Sequence, residues 1–184
     1  MKTSYFLRGS GGQGVQVAGT MLLYAMNEKG YYATFFPEYG ANKRGGFSQC
    51  TVAASDQPVY SFTDSRFDVT VTLNEDSYEK FGAAVYPGGT LIVNSSLVKE
   101  ASAPEDVQLL SITFDEISRE LGDQKVMNTL VFGFLVRYMD LISLDAARKI
   151  MLSNSGAREA FRKMNLEALD TGFREAEKAL KQRR

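Results

Sequence analysis

The chain has 184 residues, a formal net charge of -1, and 44% apolar and 23% charged residues, which is typical of one globular domain with its own core. A surface this close to neutral excludes non-specific nucleic-acid binding, which needs a strongly basic face. No apolar run approaches the length of a membrane span, and residues 1–7 lack the regions of a signal peptide. We therefore expect a cytoplasmic protein that binds neither nucleic acid nor membrane.

Two absences limit the chemistry. The sequence has no histidine and a single cysteine, Cys50, so Ser-His-Asp triads, Cys-His pairs and histidine-based zinc sites are excluded. One thiolate is too few for an iron–sulfur cluster, which usually needs four. We expect no catalytic and no metal-binding residues in this chain. Any redox chemistry must use a bound cofactor or a partner chain.

The first forty residues predict a βαβ unit. Residues 4–7 form a short apolar strand, residues 9–14 a glycine-rich turn, and residues 31–36 an aromatic second strand. Between the turn and the second strand, apolar residues at spacings of three and four predict a helix that ends at Gly30; they are Val15, Ala18, Leu22, Ala25 and Met26.

The rest of the chain continues to alternate between strands and helices. Residues 37–46 predict a loop and residues 47–55 a strand, for which residues 58–62 are a candidate partner. In the later part of the chain, strands are predicted at 67–73, 90–93 and 109–112, a turn at 87–89, and helices near 76–81, 114–121, 143–152 and over the C-terminal tail.

Residues 126–136 are apolar on almost every side of a predicted helix. Such a helix should be covered on most sides. In a chain of this size, the pattern predicts that the helix lies partly at a subunit contact, within a homodimer or against other subunits.

The alternation predicts an α/β fold, a Rossmann-like three-layer domain over residues 1–184. Its sheet should be mostly parallel or mixed, with helices on both faces. Because residues 44–62 leave no room for a helix between strands, we expect a hairpin there that extends the sheet.

The glycine turn is the first candidate site. Gly9, Gly11 and Gly14 satisfy G-x-G-x-x-G between a predicted strand and a predicted helix, a context in which the helix N–H groups attract an anion. A sharp turn without ligand explains the glycines equally well. A dinucleotide site also needs an acidic residue after the second strand. Glu38 is near that distance, but Pro37 precedes it and a basic glycine loop follows.

The second candidate is Lys43-Arg44-Gly45-Gly46. An arginine beside two glycines can bind a phosphate or carboxylate with two hydrogen bonds. A solvated turn with two surface charges is the simpler interpretation. The position after the second strand favours a site, because α/β sheets bind ligands at that edge.

Together these residues resemble a known family. The stretches GSGGQGV at 9–15, PEYG at 37–40, RGG at 44–46, a serine-containing stretch before Pro58-Val59, and KVMN at 125–128 with Gly133 are similar to the gamma subunit of 2-oxoacid:ferredoxin oxidoreductases. Eleven positions are carried over as cofactor-site candidates without an individual chemical role: Gly9, Gly11, Gly12, Gln13, Gly14, Glu38, Tyr39, Arg44, Gly45, Gly46 and Asn128.

The resemblance implies a multi-subunit enzyme that oxidatively decarboxylates a 2-oxoacid to an acyl-CoA and passes electrons to ferredoxin. Thiamine diphosphate, iron–sulfur clusters and coenzyme A would then be held mainly by alpha, beta and ferredoxin-like delta subunits, with no cofactor bound by this chain alone. Pyruvate, 2-oxoglutarate, ketoisovalerate and indolepyruvate enzymes carry similar domains. We further predict that residues 11–14 and 44–46 lie side by side at the carboxyl edge of the sheet and face the coenzyme A or 2-oxoacid pocket. The alternative is that both loops only dock onto the catalytic subunits.

Two other functions stay open on the sequence. A free-standing Rossmann-type NAD(P) oxidoreductase would need Tyr39, Lys43 or Glu38 as its acid or base, because histidine is absent. A regulatory nucleotide-binding module would need the glycine turn alone. Nucleotide binding by the isolated chain would favour either, whereas co-purification with thiamine-dependent and ferredoxin-like subunits would favour the gamma subunit.

Overall fold

The structure of the protein is a computed structural model that describes residues 2–40, 46–58, 64–154 and 159–182. Its strands and helices alternate as the sequence predicts. In chain order they are β1 (Lys2–Ser10), α1 (Val15–Glu28), β2 (Tyr32–Tyr39), β3 (Phe47–Ser55), β4 (Phe67–Thr72), α2 (Glu75–Phe81), β5 (Val85–Asn94), β6 (Gln108–Ile112), α3 (Phe114–Glu120), a 3-10 turn (Gln124–Val126), α4 (Met127–Tyr138), α5 (Leu144–Asn154) and α6 (Glu159–Gln182).

Within the described residues, six strands form one sheet in the order β2-β3-β1-β4-β5-β6. β3 pairs antiparallel with both β1 and β2, whereas β4, β5 and β6 run parallel to β1. The carboxyl ends of five parallel strands therefore meet at one edge, beside the beginning of β3. The α/β fold with a mixed sheet is confirmed.

The hairpin occupies a different place from the one predicted. β3 does not extend the sheet at its edge but inserts between β1 and β2, in register from Tyr32 opposite Ser55 to Tyr39 opposite Ser48. β2 becomes the edge strand. The candidate strand at 58–62 lies outside the described residues except for Pro58.

Two sequence signals for irregular structure fall inside strands. β2 continues through Pro37 to Tyr39, so the predicted loop begins later; an edge strand tolerates proline because the missing N–H can face away from the ladder. The Pro-Gly-Gly run at 87–89 lies within β5, where Gly88 has a φ of 78° and the pairing with β4 shifts. It forms a bulge and not the turn before the strand.

The larger core lies on the face covered by α1. Leu22 of α1 and Leu7, Val52 and Val71 of the sheet are fully buried there. Gly19 brings α1 close to β3, because a Cβ at this position would overlap Cys50 Sγ. The predicted apolar face of α1 is confirmed.

The opposite face is covered by α2. Phe6 stacks on Phe67 with ring centres 4.6 Å apart and lies 5.0 Å from the Phe81 ring. A second small cluster extends this packing along β5 around Leu91 and Val93. Helices therefore cover both faces of the sheet, as predicted, but most of them lie on the α1 side.

α4 is enclosed by its own chain. Phe132 and Phe134 are 0% exposed, and the helix backbone meets α6 where a Cβ on Gly133 would lie 2.5 Å from the Leu169 carbonyl oxygen. Gly172 of α6 makes the reciprocal close approach to Leu130. The predicted subunit contact of residues 126–136 is wrong, because α1, α3, α5 and α6 cover the apolar surface that motivated it.

No helix in the described ranges is both long and apolar enough to cross a membrane.

Candidate functional site

The glycine turn joins β1 to α1 at the carboxyl edge of the sheet. Gln13 folds back beneath it: its Oε1 accepts a hydrogen bond from the Ser10 N–H at 2.6 Å, and its Nε2 donates to the Leu73 carbonyl at 3.1 Å. A Cβ on Gly9 would lie 2.5 Å from that Oε1. Gly9 and Gln13 are thus structural partners that tie the turn to the end of β4.

The remaining glycines of the turn have different roles. Gly12 and Gly14 have φ values of 104° and 73°, in the left-handed region that glycine tolerates. Gly14 is the N-cap of α1, and a Cβ there would lie 2.7 Å from the Cβ of Asn128. Gly11 has space for a Cβ, at 3.5 Å from the Gly46 carbonyl oxygen. Gly11 is therefore the position in this turn at which folding does not require glycine.

Asn128, a candidate from the sequence, lies next to this turn. It stands in the first turn of α4, half buried, and its Oδ1 accepts a hydrogen bond from the Thr129 N–H at 2.6 Å. Its contact with Gly14 fixes the start of α1 against the start of α4. The structure thereby brings together two motifs that are more than a hundred residues apart in sequence.

The second glycine motif meets the first at Gly46. The Gly11 N–H donates to the Gly46 carbonyl at 2.8 Å, and the Gly40 N–H donates to the Phe47 carbonyl at 2.9 Å. The predicted proximity of the two loops holds for Gly46. Lys43, Arg44 and Gly45 lie outside the described residues.

Glu38 and Tyr39 are at the end of β2 and not in a loop. The Glu38 side chain is exposed, and Tyr39 is 67% exposed. Because β3 separates β2 from β1, Glu38 is two strand spacings from β1, roughly 9–10 Å. In the dinucleotide-binding fold the second strand lies directly beside the first. The geometry removes the basis for an NAD site at Glu38.

Gln16 is a site residue that the sequence analysis missed. Its Nε2 donates to the Ser48 hydroxyl at 3.1 Å, the Gln49 carbonyl at 2.8 Å and the Glu38 carbonyl at 3.3 Å. It therefore fastens the first turn of α1 to β2 and β3. A glutamine on the polar side of a helix carries no sequence signal for this role.

Arg8 was also missed. Its guanidinium carbon lies 4.4 Å from the Phe47 ring centre and 4.5 Å from that of Phe81, while its Nη1 donates to Gln49 Oε1. An Asp76 carboxylate oxygen is 3.6 Å away. The side chain is only 6% exposed, so two aromatic faces shield a cation from water. Because Phe47 borders the glycine loops, the contact with Arg8 positions the Phe47 ring at one side of the site.

Between the two loops lies an open cavity of about 600 Å³. Its floor is the glycine turn and the first turn of α1, where the backbone N–H groups lack partners within the helix and no acidic side chain is present. Exposed Val17, Tyr39 and Phe47 form its apolar walls. The arrangement can receive an anionic group at the α1 N-terminus and an apolar group beside it.

The lone thiol is buried in the core and does not line this cavity. Cys50 is buried behind α1, and burial raises its pKa from 9.0 to about 12. At neutral pH it is therefore a buried, protonated thiol.

Comparison with known proteins gives a consistent set of relatives. The sequence profile of the family described as "Pyruvate ferredoxin/flavodoxin oxidoreductase" matches residues 4–175. The 2-oxoglutarate synthase subunit KorC of Methanocaldococcus jannaschii is 31% identical over 182 residues, which cover 94% of this chain and 93% of that subunit. The ketoisovalerate oxidoreductase subunit VorA of Methanothermobacter thermautotrophicus is 30% identical over 168 residues, but the chain spans only 35% of its length.

Solved structures share the fold. A keto/oxoacid ferredoxin oxidoreductase gamma subunit from Geobacter sulfurreducens superposes with a TM-score of 0.81 at 30% identity, covering 96% of this chain and 97% of that one. A 2-oxoglutarate:ferredoxin oxidoreductase from Magnetococcus marinus, solved with 2-oxoglutarate, coenzyme A and succinyl-CoA, gives 0.85 at 23% identity. The match covers 97% of this chain and 31% of that one.

Proposed function

The chain belongs to the pyruvate ferredoxin/flavodoxin oxidoreductase family, and we propose that it is the gamma subunit of a 2-oxoacid:ferredoxin oxidoreductase complex. The complex would oxidatively decarboxylate a 2-oxoacid, transfer the acyl group to coenzyme A and pass the electrons to ferredoxin. The observation that carries the proposal is the match along nearly the full length of both this chain and the KorC subunit.

The amino-acid content of this chain bears on which cofactors other subunits would have to hold. The chain has no histidine, and its one cysteine is buried as a protonated thiol. As the family resemblance implies, thiamine diphosphate and the iron–sulfur clusters would be held by alpha, beta and ferredoxin-like delta subunits, and the single buried cysteine supports this for the clusters. The isolated chain would be catalytically inactive.

Within the complex, we assign the cavity between the two glycine loops to the coenzyme A or 2-oxoacid side of the active site. Both substrates carry anionic groups, which suit the free N–H groups of the first turn of α1. Gly11 supports this role because its lack of a side chain is not explained by packing. Arg44, two residues before Gly46 in sequence, would add a full positive charge.

The assignment is tested by kinetics of the assembled complex. Gly11→Ala and Arg44→Ala should raise the apparent KM for coenzyme A or for the 2-oxoacid about tenfold, or lower turnover comparably, because each removes an interaction or intrudes on the ligand. Gly11→Ala is the more informative variant, because its Cβ would lie at an ordinary van der Waals distance, 3.5 Å, from the nearest atom and should not disturb folding. Lys181→Ala, exposed at the end of α6, is the matched control and should leave both constants unchanged.

The competing role is docking. Tyr39 is 67% and Phe47 38% exposed beside the loops, and aromatic residues are enriched at protein interfaces. If the assembled variant complexes have wild-type kinetics for both substrates, the loops do not line the substrate pocket. Loss of assembly in Gly11→Ala, with the variant chain itself folded, would assign them to docking instead.

A further inference from the structure

A second cavity lies at the opposite edge of the sheet from the glycine loops. It has a volume of about 460 Å³ and opens to solvent, a size that suits a small molecule. The starts of β1 and β4, the bulge in β5, and the carboxyl ends of α1 and α4 line it. It shares no lining residue with the first cavity, so it is independent of the proposed function.

Both helices end at this cavity with the same backbone motif. At the end of α1, the Tyr31 N–H donates to the Met26 carbonyl at 3.0 Å, with Gly30 in the left-handed conformation. At the end of α4, the Leu141 N–H donates to the Val136 carbonyl at 2.9 Å. The motif requires a left-handed residue one position earlier, which is usually glycine.

In α4 that residue is Asp140, with a φ of 50°. It is the non-glycine residue with positive φ among those that the structure describes. Aspartate adopts this conformation at a smaller cost than most residues but at a larger cost than glycine, and a non-glycine residue there, at the rim of a cavity, directs attention to its side chain. Asp140 stands at the cavity rim, where its backbone carbonyl accepts a hydrogen bond from Lys29 Nζ.

The charges around the cavity favour a cation. Asp140 and Asp68 both line it, and two helix carboxyl ends add partial negative charge. Asp68 Oδ2 accepts hydrogen bonds from the Ser4 N–H at 2.7 Å and the Ser4 hydroxyl at 2.8 Å, so both bonds go to the same carboxylate oxygen. Lys29 is the cation in the lining; it is exposed and its ammonium is bound to the Asp140 carbonyl.

Three tyrosines also line the cavity. Tyr5 is 2% and Tyr138 6% exposed, and Tyr31 completes the group of three tyrosines. Burial, and then the neighbouring Asp68 carboxylate, raise the pKa of Tyr5 above its ordinary value, so its hydroxyl stays protonated. Aromatic rings together with carboxylates are the groups that bind organic ammonium ions.

We propose that this cavity is a binding site for a small organic cation, an amine or quaternary ammonium compound, with Asp68 and Asp140 as its counter-charges. The tyrosines supply the apolar and aromatic wall. The strain at Asp140 is retained because glycine there would remove one of the two carboxylates.

The test uses choline and 1,4-diaminobutane as probes on the full chain, with binding followed by NMR chemical-shift changes and by calorimetry. At least one cation should bind and shift signals of Tyr5, Tyr31 or Asp140, and acetate should not. Asp68→Asn and Asp140→Asn should each weaken binding about tenfold, the effect of one charge at a partly exposed site. Glu120→Gln, exposed on α3, should bind as the wild type does.

Asp140→Gly separates binding from folding. Because glycine relieves the left-handed strain, this variant should unfold at a higher temperature than the wild type while binding the cation about tenfold more weakly. The proposal is overturned if neither cation binds at millimolar concentration, if acetate binds in their place, or if the Asp68 and Asp140 variants bind as tightly as the wild type.

Discussion

At the scale of single residues, the structural reason for glycine differs between the positions of the β1–α1 turn. Gly14→Ala forces a left-handed alanine at the N-cap and a contact of 2.7 Å with Asn128, so we expect it to lower the free energy of unfolding by roughly 2–4 kcal/mol. Gly11→Ala should change it by less than about 0.5 kcal/mol. Urea unfolding of both variants measures the difference, and equal losses would contradict the assignment of roles.

Gly12 illustrates why the sequence alone could not rank these positions. The pattern G-x-G-x-x-G gives no φ values, and Gly12→Ala would be strained at 104° although nothing lies within 4 Å. Gln13 and Asn128 were identified by resemblance alone. Their roles, beneath Gly9 and against Gly14, depend on contacts between distant segments, and Gln16 and Arg8 carried no signal at all.

The buried Cys50 makes the free energy of unfolding depend on pH in the alkaline range. Its pKa is raised from 9.0 to about 12 by burial, so above pH 9 the unfolded chain loses this proton while the folded chain keeps it. The free energy of unfolding should therefore fall as the pH rises from 9 to about 12. In Cys50→Ala the fall should be shallower, with Tyr5, also raised by burial, as a remaining contributor. Urea unfolding across this pH range measures both slopes, and identical slopes would show that Cys50 does not contribute.

At the scale of elements, α4 and α6 depend on contact between their backbones. A Cβ on Gly172 would overlap the Leu130 carbonyl oxygen and come within 2.7 Å of the Phe134 nitrogen. Gly172→Ala should thus lower the free energy of unfolding by about 3 kcal/mol through overpacking. Lys181→Ala on the same helix is the control. A Gly172→Ala protein as stable as this control would show that the helices separate at little cost.

The same helix pair explains an error made from the sequence. Periodicity correctly predicted α4 as apolar on all sides, but it could not reveal that α6 would cover it, because the partner surface is formed by small residues such as Gly172 and Ala176. An apolar helix that is packed by four neighbours needs no second subunit. The insertion of β3 between β1 and β2 could not be predicted either, because strand order depends on long-range pairing and not on the local sequence pattern.

At the scale of the whole molecule, the order of strands and helices and the family followed from the sequence, and the profile match over residues 4–175 confirms the family. The fold brings residues from three of the sequence motifs, the Gly9–Gly14 turn, Gly46 and Asn128, to one edge of the sheet. The second cavity could not be foreseen, because its lining comes from six separate stretches of chain.

The central claim is that this chain works as the gamma subunit of a 2-oxoacid:ferredoxin oxidoreductase. The most direct measurement is purification of the tagged chain from its native source, followed by viologen-linked oxidation of pyruvate, 2-oxoglutarate and ketoisovalerate with coenzyme A. We predict co-purification with thiamine-dependent and iron–sulfur subunits, activity in that complex towards one of these 2-oxoacids, and none in the isolated chain. Recovery of the chain without such subunits, or 2-oxoacid oxidation by the chain alone, would contradict the claim.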